Sequence, residues 1–189
     1  MSHPVAGRLP APVAAPVDSG PPAVGVIEAC RLIPLEEYRD HRGALAVVEV
    51  GKDIDFPINR VYYLYDTPVV QTRGGHAHRR LRQIIIAAEG AFDIELDDGF
   101  RRRTYRLDRP DRGLFVGPMV WRDLSHFAPG TVALVLASNP YDPADYYRDY
   151  DPFLRDARAL ANPEPAAEPP PRPIEEPDDH PRVGLPGRV

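Results

Sequence analysis

Between residues 92 and 97 the chain alternates Phe92, Ile94 and Leu96 with Asp93, Glu95 and Asp97. A period of two belongs to a strand with one dry face and one wet face. Asp98-Gly99 supplies a turn, and Thr104-Tyr105-Arg106-Leu107 returns, which reads as a hairpin. Residues 44–50, 60–65, 114–116 and 132–137 are further short apolar or alternating runs, each bounded by Gly, Pro or Asp. Residues 83–88, Gln-Ile-Ile-Ile-Ala-Ala, are continuously apolar after the first, as in a strand buried on both faces. Residues 144–160 alone carry a helical pattern, with turn signals at Asp142-Pro143 and Asp151-Pro152. Many short strands and one late helical segment predict an all-β, single-domain antiparallel sandwich or barrel with a short C-terminal helical segment.

The 189 residues suit one domain. Most of the 24 prolines crowd into residues 1–25 and 161–189. Such ends hold too little apolar surface to offset the entropy of ordering, so both are expected to be disordered, leaving a folded domain at 26–160. A net charge of -5 gives no field toward nucleic acid or an anionic membrane. The basic clusters Arg79-Arg80 with Arg82, and Arg101-Arg102-Arg103, read as a solvated strand end and a hairpin tip. No apolar run approaches the length of a membrane span. Pro4, Pro10, Pro12 and Pro16 interrupt the region where a secretory segment needs a continuous apolar stretch, so a cytoplasmic location is expected. Cys30 is the only cysteine, which excludes an intrachain disulfide or a cysteine-based metal site.

The segment richest in chemistry is Arg73-Gly74-Gly75-His76-Ala77-His78. On a strand, His76 and His78 point to the same face. Two imidazoles inside a small barrel suit either a metal site or proton transfer. The spacing from His78 to Gln83 to Gly90 resembles the first cupin motif, and Pro118-Met119-Val120-Trp121-Arg122 resembles the second, Pro-Gly-x-Trp-His. Gln83 then stands where cupins carry an acidic ligand, and Arg122 where they carry a histidine. A neutral amide is a poor ligand and a guanidinium cannot ligate at all. His76 and His78 alone make a weak site, so neither a metal nor any other cofactor is expected.

Over residues 26–155 the chain resembles the dTDP-sugar 3,4-ketoisomerases, the WxcM-like cupins. The resemblance is carried by Arg60-Val61-Tyr62-Tyr63, the Arg73–His78 segment, Leu81-Arg82-Gln83, Leu96-Asp97-Asp98-Gly99 and the run from Gly113 to Trp121. It continues through Val135-Leu136-Ala137-Ser138 and Tyr141-Asp142 to Asp145-Tyr146, Arg148, Tyr150 and Phe153. It implies a jelly roll that binds a thymidine-diphospho-keto-deoxysugar. The ketone would move from C4 to C3 of a 6-deoxyhexose through an enediol, in deoxysugar biosynthesis. By position, His76 matches the catalytic base, and Tyr62 and His78 its supporting groups. Arg73, Arg122, Arg42 and Gln83 are the expected substrate contacts. Arg42 and Arg122 match a pair thought to decide which face of C4 is reprotonated; with arginine at both, the gluco and galacto outcomes both stay open. Family members pair as homodimers through exchanged N-terminal strands, here residues 26–50.

The chemistry agrees with these residue types. A proton beside a ketone needs a base titrating near the working pH, and histidine is the natural one. The enediolate then needs a cation or hydrogen-bond donor, which Arg73, Arg122 or Tyr62 could supply. Trp121, Tyr141, Tyr146, Tyr147 and Tyr150 are expected as core. Two other readings share the sequence features: a non-catalytic sugar-nucleotide-binding cupin, and a related epimerase acting on a keto-deoxysugar nucleotide.

Overall fold

The computed structural model describes residues 27–161; the expectations for residues 1–25 and for 161–189 lie outside them, save for Ala161, which ends a helix. Strands follow one another as β1 (Arg31–Pro34), β2 (Glu36–Asp40), β3 (Gly43–Val47), β4 (Arg60–Leu64), β5 (Arg73–His78) and β6 (Gln83–Glu89). Then come β7 (Phe92–Asp97), β8 (Arg102–Leu107), β9 (Arg112–Val116), β10 (Trp121–Ser125), β11 (Val132–Ala137) and β12 (Tyr146–Tyr147). Helix α1 (Tyr150–Ala161) ends the described chain. Two five-stranded sheets, ordered β1-β9-β6-β11-β4 and β12-β5-β10-β7-β8, stack face to face. Every pairing between named strands is antiparallel. This is the expected all-β jelly roll.

The alternation settles which side chains face inward. Ile85 and Ala87 of β6, Leu114 and Val116 of β9, and Ala133 and Val135 of β11 meet Phe92, Ile94 and Leu96 of β7 and Leu124 of β10 in the central core. Ile84 and Ile86 point the other way, under Leu35, Ile54 and Phe56. The triple isoleucine of β6 is therefore buried on both faces, and each such side chain contributes about 2–3 kcal/mol of apolar transfer. Helix α1 lays Phe153 and Ala157 over Ala77, Met119, Trp121 and Tyr147 on the outer face of the second sheet. Gly99, at φ +88, makes the turn of the β7–β8 hairpin that Asp98-Gly99 predicts.

Three elements differ from the sequence expectation. The helical stretch expected over residues 144–160 is divided: Pro143–Asp145 is a short 3-10 turn capped by Asp142, Tyr146–Tyr147 pairs with β5, and α1 begins only at Tyr150. Pairing to the end of β5 overrides local helix preference there. Strand β10 carries no apolar alternation because one of its two inward residues, beside Leu124, is Arg122. The β2–β3 hairpin joins neither large sheet, and it holds Tyr38 and Leu45 in solvent.

Candidate active site

β5 has β10 as its antiparallel neighbour on one side, and on the other the two-residue β12, which pairs only with Ala77 and His78. His76 stands directly opposite Arg122 in that pairing, and the register slips by one residue between Arg122 and Asp123. Gly74 makes the slip possible. Its φ is +92, and a Cβ there would lie 2.5 Å from the Arg122 carbonyl oxygen. No other residue fits that approach. Beyond the slip, His76 and His78 both turn into the barrel, with ring centroids 4.9 Å apart and edge to face. Met119, at φ 55, ties the end of the strand down by donating its N–H to the His78 carbonyl at 2.7 Å.

The opposite sheet contributes Tyr62 from β4 and Gln83 from β6. Arg122 donates from Nη1 to Gln83 Oε1 at 3.2 Å, and Gln83 Nε2 donates to the Tyr62 oxygen at 2.8 Å. A guanidinium can only donate, so it fixes which way the Gln83 amide points. The Tyr62 oxygen is thereby the acceptor, and its own O–H is left to donate into the interior. Burial raises the Tyr62 pKa, so it stays a phenol. The three groups form one polarised donor chain that ends in the barrel.

Arg122 is 2% exposed. Its remaining hydrogen bond is a long one, 3.4 Å from Nη2 to the Gly117 carbonyl, and its Nε has no partner. No acidic side chain among the described residues pairs with it. Burial lowers its pKa to about 10, which still leaves a cation at neutral pH. An unpaired buried cation is costly, and it makes the interior strongly attractive to an anion.

The same burial, followed by the Arg122 charge, holds His76 down to about 4 against a smaller raising contact with the Gly74 backbone. Burial and Arg122 push His78 far below the ordinary histidine range as well. His78 is therefore neutral, with Nδ1 3.0 Å from a carboxylate oxygen of Asp145 and Nε2 buried without a partner. Tyr146 stands against both imidazoles, at 4.2 Å from His78 and 5.2 Å from His76 between centroids. It belongs to the chamber, whereas Tyr147 packs under α1, and Trp121 faces outward against Tyr150 and Phe153 of that helix. Arg60 and Arg148 lie over the rings of Tyr62 and Tyr146.

Of the residues picked out by sequence, His76, His78, Tyr62, Gln83 and Arg122 converge on this chamber. Arg73 opens β5 and is exposed. Arg42 is elsewhere in the chain, at the tip of the β2–β3 hairpin, where it pairs with Asp40 in solvent. Asp145 and Tyr146 carry part of the family resemblance, but the sequence reading gives Asp145 no role and Tyr146 only a core one; the structure sets both against the imidazoles.

A jelly roll holding neutral imidazoles against a buried, unpaired guanidinium defines a cupin equipped for proton transfer rather than for holding a metal. A family model described as FdtA: WxcM-like, C-terminal matches residues 28–158, and the chain belongs to that family. The chain is 42% identical over 125 residues to the TDP-4-oxo-6-deoxy-alpha-D-glucose-3,4-oxoisomerase of Aneurinibacillus thermoaerophilus, covering 66% of this chain and 90% of that one. It is 45% identical to the TDP-quinovose 3,4-ketoisomerase WlaRB of Campylobacter jejuni, with a TM-score of 0.65 over 67% of this chain and 97% of the other. It is 38% identical to a histidine-to-asparagine mutant of the 3,4-ketoisomerase QdtA from Thermoanaerobacterium thermosaccharolyticum, solved with TDP-4-keto-6-deoxyglucose, with a TM-score of 0.67 over 68% and 94% of the two chains.

Proposed function

We propose that the chain is a TDP-sugar 3,4-ketoisomerase that converts a TDP-4-keto-6-deoxyhexose to its 3-keto isomer in deoxysugar biosynthesis. His76, kept neutral by burial and by Arg122, removes the proton from C3. The electron pair of that bond forms C3=C4, and O4 becomes an oxyanion. Arg122 and the Tyr62 O–H stabilise this enediolate, His78 takes the O3 proton and delivers it to O4, and protonation at C4 leaves the ketone at C3. The carrying observation is the fully buried Arg122 with no carboxylate partner, set opposite His76 in the β5–β10 register. Arg73, exposed at the start of the same strand, would meet the diphosphate.

The residues present do not fit a metal ion. Among the described residues no group of three His, Cys, Asp or Glu side chains is gathered that could hold one. Gln83 is committed to Tyr62 and Arg122, and a cation beside His78 would face the Arg122 guanidinium. The folded unit is residues 26–160. No helix among the described residues is long and apolar enough to cross a membrane, which fits a cytoplasmic enzyme.

The enzyme works as a homodimer that exchanges N-terminal strands. Support comes from β4, an edge strand whose outward Val61 and Tyr63 are exposed, and from the β2–β3 hairpin, which has no sheet of its own to join. Pairing the hairpin of one copy with the other copy would cover both. It would also carry Arg42 away from its own chain's solvent and toward a partner. Light scattering should give a dimer at micromolar concentration, and a monomer would refute the pairing. Incubation with TDP-4-keto-6-deoxyglucose, followed by NMR, should show a 3-keto product; unchanged substrate would refute the activity.

A further inference from the structure

We propose that Asp145 is a positioning residue that fixes the tautomer of His78, holding its proton on Nδ1 and so keeping Nε2 free for the transfer between O3 and O4 described above. The proposal rests on the ketoisomerase reading above. Asp145 is 7% exposed, and its carboxylate is held at both oxygens. Oδ1 accepts the Arg80 backbone N–H at 2.9 Å, and Oδ2 lies 3.0 Å from His78 Nδ1. The Asp145 carbonyl accepts the Arg79 N–H at 2.8 Å, so the residue is clamped to the chain just beyond His78. A carboxylate only accepts, so the hydrogen bond exists only with the proton on Nδ1. Nε2 is then a bare lone pair, and it is buried inside the chamber without a partner among the described residues.

The isomerisation needs such a group. C3–H is lost to His76, but the hydroxyl proton on O3 must also leave and one must arrive on O4. His78 Nε2 can take the O3 proton and return it to O4, with no net change in the protein and no electron donor or acceptor required. The ring of Tyr146 against His78 limits rotation of the imidazole during this exchange.

The arrangement makes a sharp expectation for Asp145→Asn. The Arg80 N–H still needs an acceptor, so the new amide oxygen stays there and the NH₂ turns toward His78. His78 Nδ1 must then accept, and its hydrogen moves to Nε2, in the direction that disables the relay. In long-range ¹H–¹⁵N spectra of the full chain, wild-type His78 should show the Nδ1–H pattern, assigned by its loss in His78→Gln. Asp145→Asn should show Nε2–H, with kcat about tenfold lower or worse and KM within about threefold. A wild-type Nε2–H pattern would overturn the proposal, and it can be read even if the variant fails to fold. So would a variant whose tautomer inverts while kcat holds. A wild-type protein with the Nδ1–H pattern that isomerises no TDP-4-keto sugar would instead defeat the ketoisomerase reading, and the relay with it.

Discussion

His76 and Arg122 face each other as register partners across β5 and β10, so a neutral imidazole and a buried cation share one small chamber. Each sets the state of the other's surroundings. Burial, and after it the guanidinium charge, keep the imidazole unprotonated, and a proton taken up by the imidazole would place two cations side by side.

That relationship fixes the acid limb of the pH profile. A base must be neutral to act, and His76 is held down to about 4. kcat/KM should therefore stay level from pH 8 to about pH 5 and fall only as the pH approaches 4. An unperturbed histidine would bring the fall near its ordinary value of about 6.5. Stability follows the same sign: the unfolded chain takes up this proton first, so the contribution from His76 is complete above about pH 6.5 and is lost as the pH falls toward 4. A fall in kcat/KM centred above pH 6 would contradict the placement.

Arg122→Met separates stability from function. Removing a buried cation that lacks a carboxylate relieves a desolvation cost, which offsets the two hydrogen bonds given up. The melting temperature should stay level or rise, while kcat falls about 10²–10³-fold for want of the enediolate's partner. Thermal melts and steady-state kinetics check both halves. A large drop in melting temperature would mean that Arg122 is chiefly structural.

Gly74→Ala tests the strand slip that aims His76. The added methyl would meet the Arg122 carbonyl at 2.5 Å in a backbone of positive φ. A loss of about 3 kcal/mol or more in denaturant unfolding is expected. A loss below about 1 kcal/mol would show that β10 can shift to admit it.

Much of this was legible from period two alone. Phe92, Ile94 and Leu96 point into the core as their spacing requires, and His76 and His78 share a face for the same reason. The exceptions lie where function breaks the pattern. β10 hides from a search for alternating apolar residues because Arg122 occupies a core position. Asp145 hides because its partner is 67 residues away, and no local rule joins the two. The run after Asp142 favours a helix on composition, yet Tyr146 and Tyr147 are drawn into a pairing with His78 and Ala77.

Gln83→Leu should cut the link between Arg122 and Tyr62 without touching either. Tyr62 then loses the donor that orients its oxygen, and kcat should fall about as far as in Tyr62→Phe, with the double variant little worse than either. Independent, multiplicative losses would show that the two residues do not act as one chain.

The central claim is that His76 breaks the C–H bond, and isomerisation in deuterium oxide by His76→Asn tests it most directly. Wild-type enzyme should turn over TDP-4-keto-6-deoxyglucose and place solvent deuterium in the sugar ring. His76→Asn should bind TDP nearly as well, turn over about 10²–10⁴-fold more slowly, and all but cease to incorporate deuterium. If His76→Asn exchanged and isomerised at the wild-type rate, another group would have to be the base, and His76 would play no part in breaking the C–H bond.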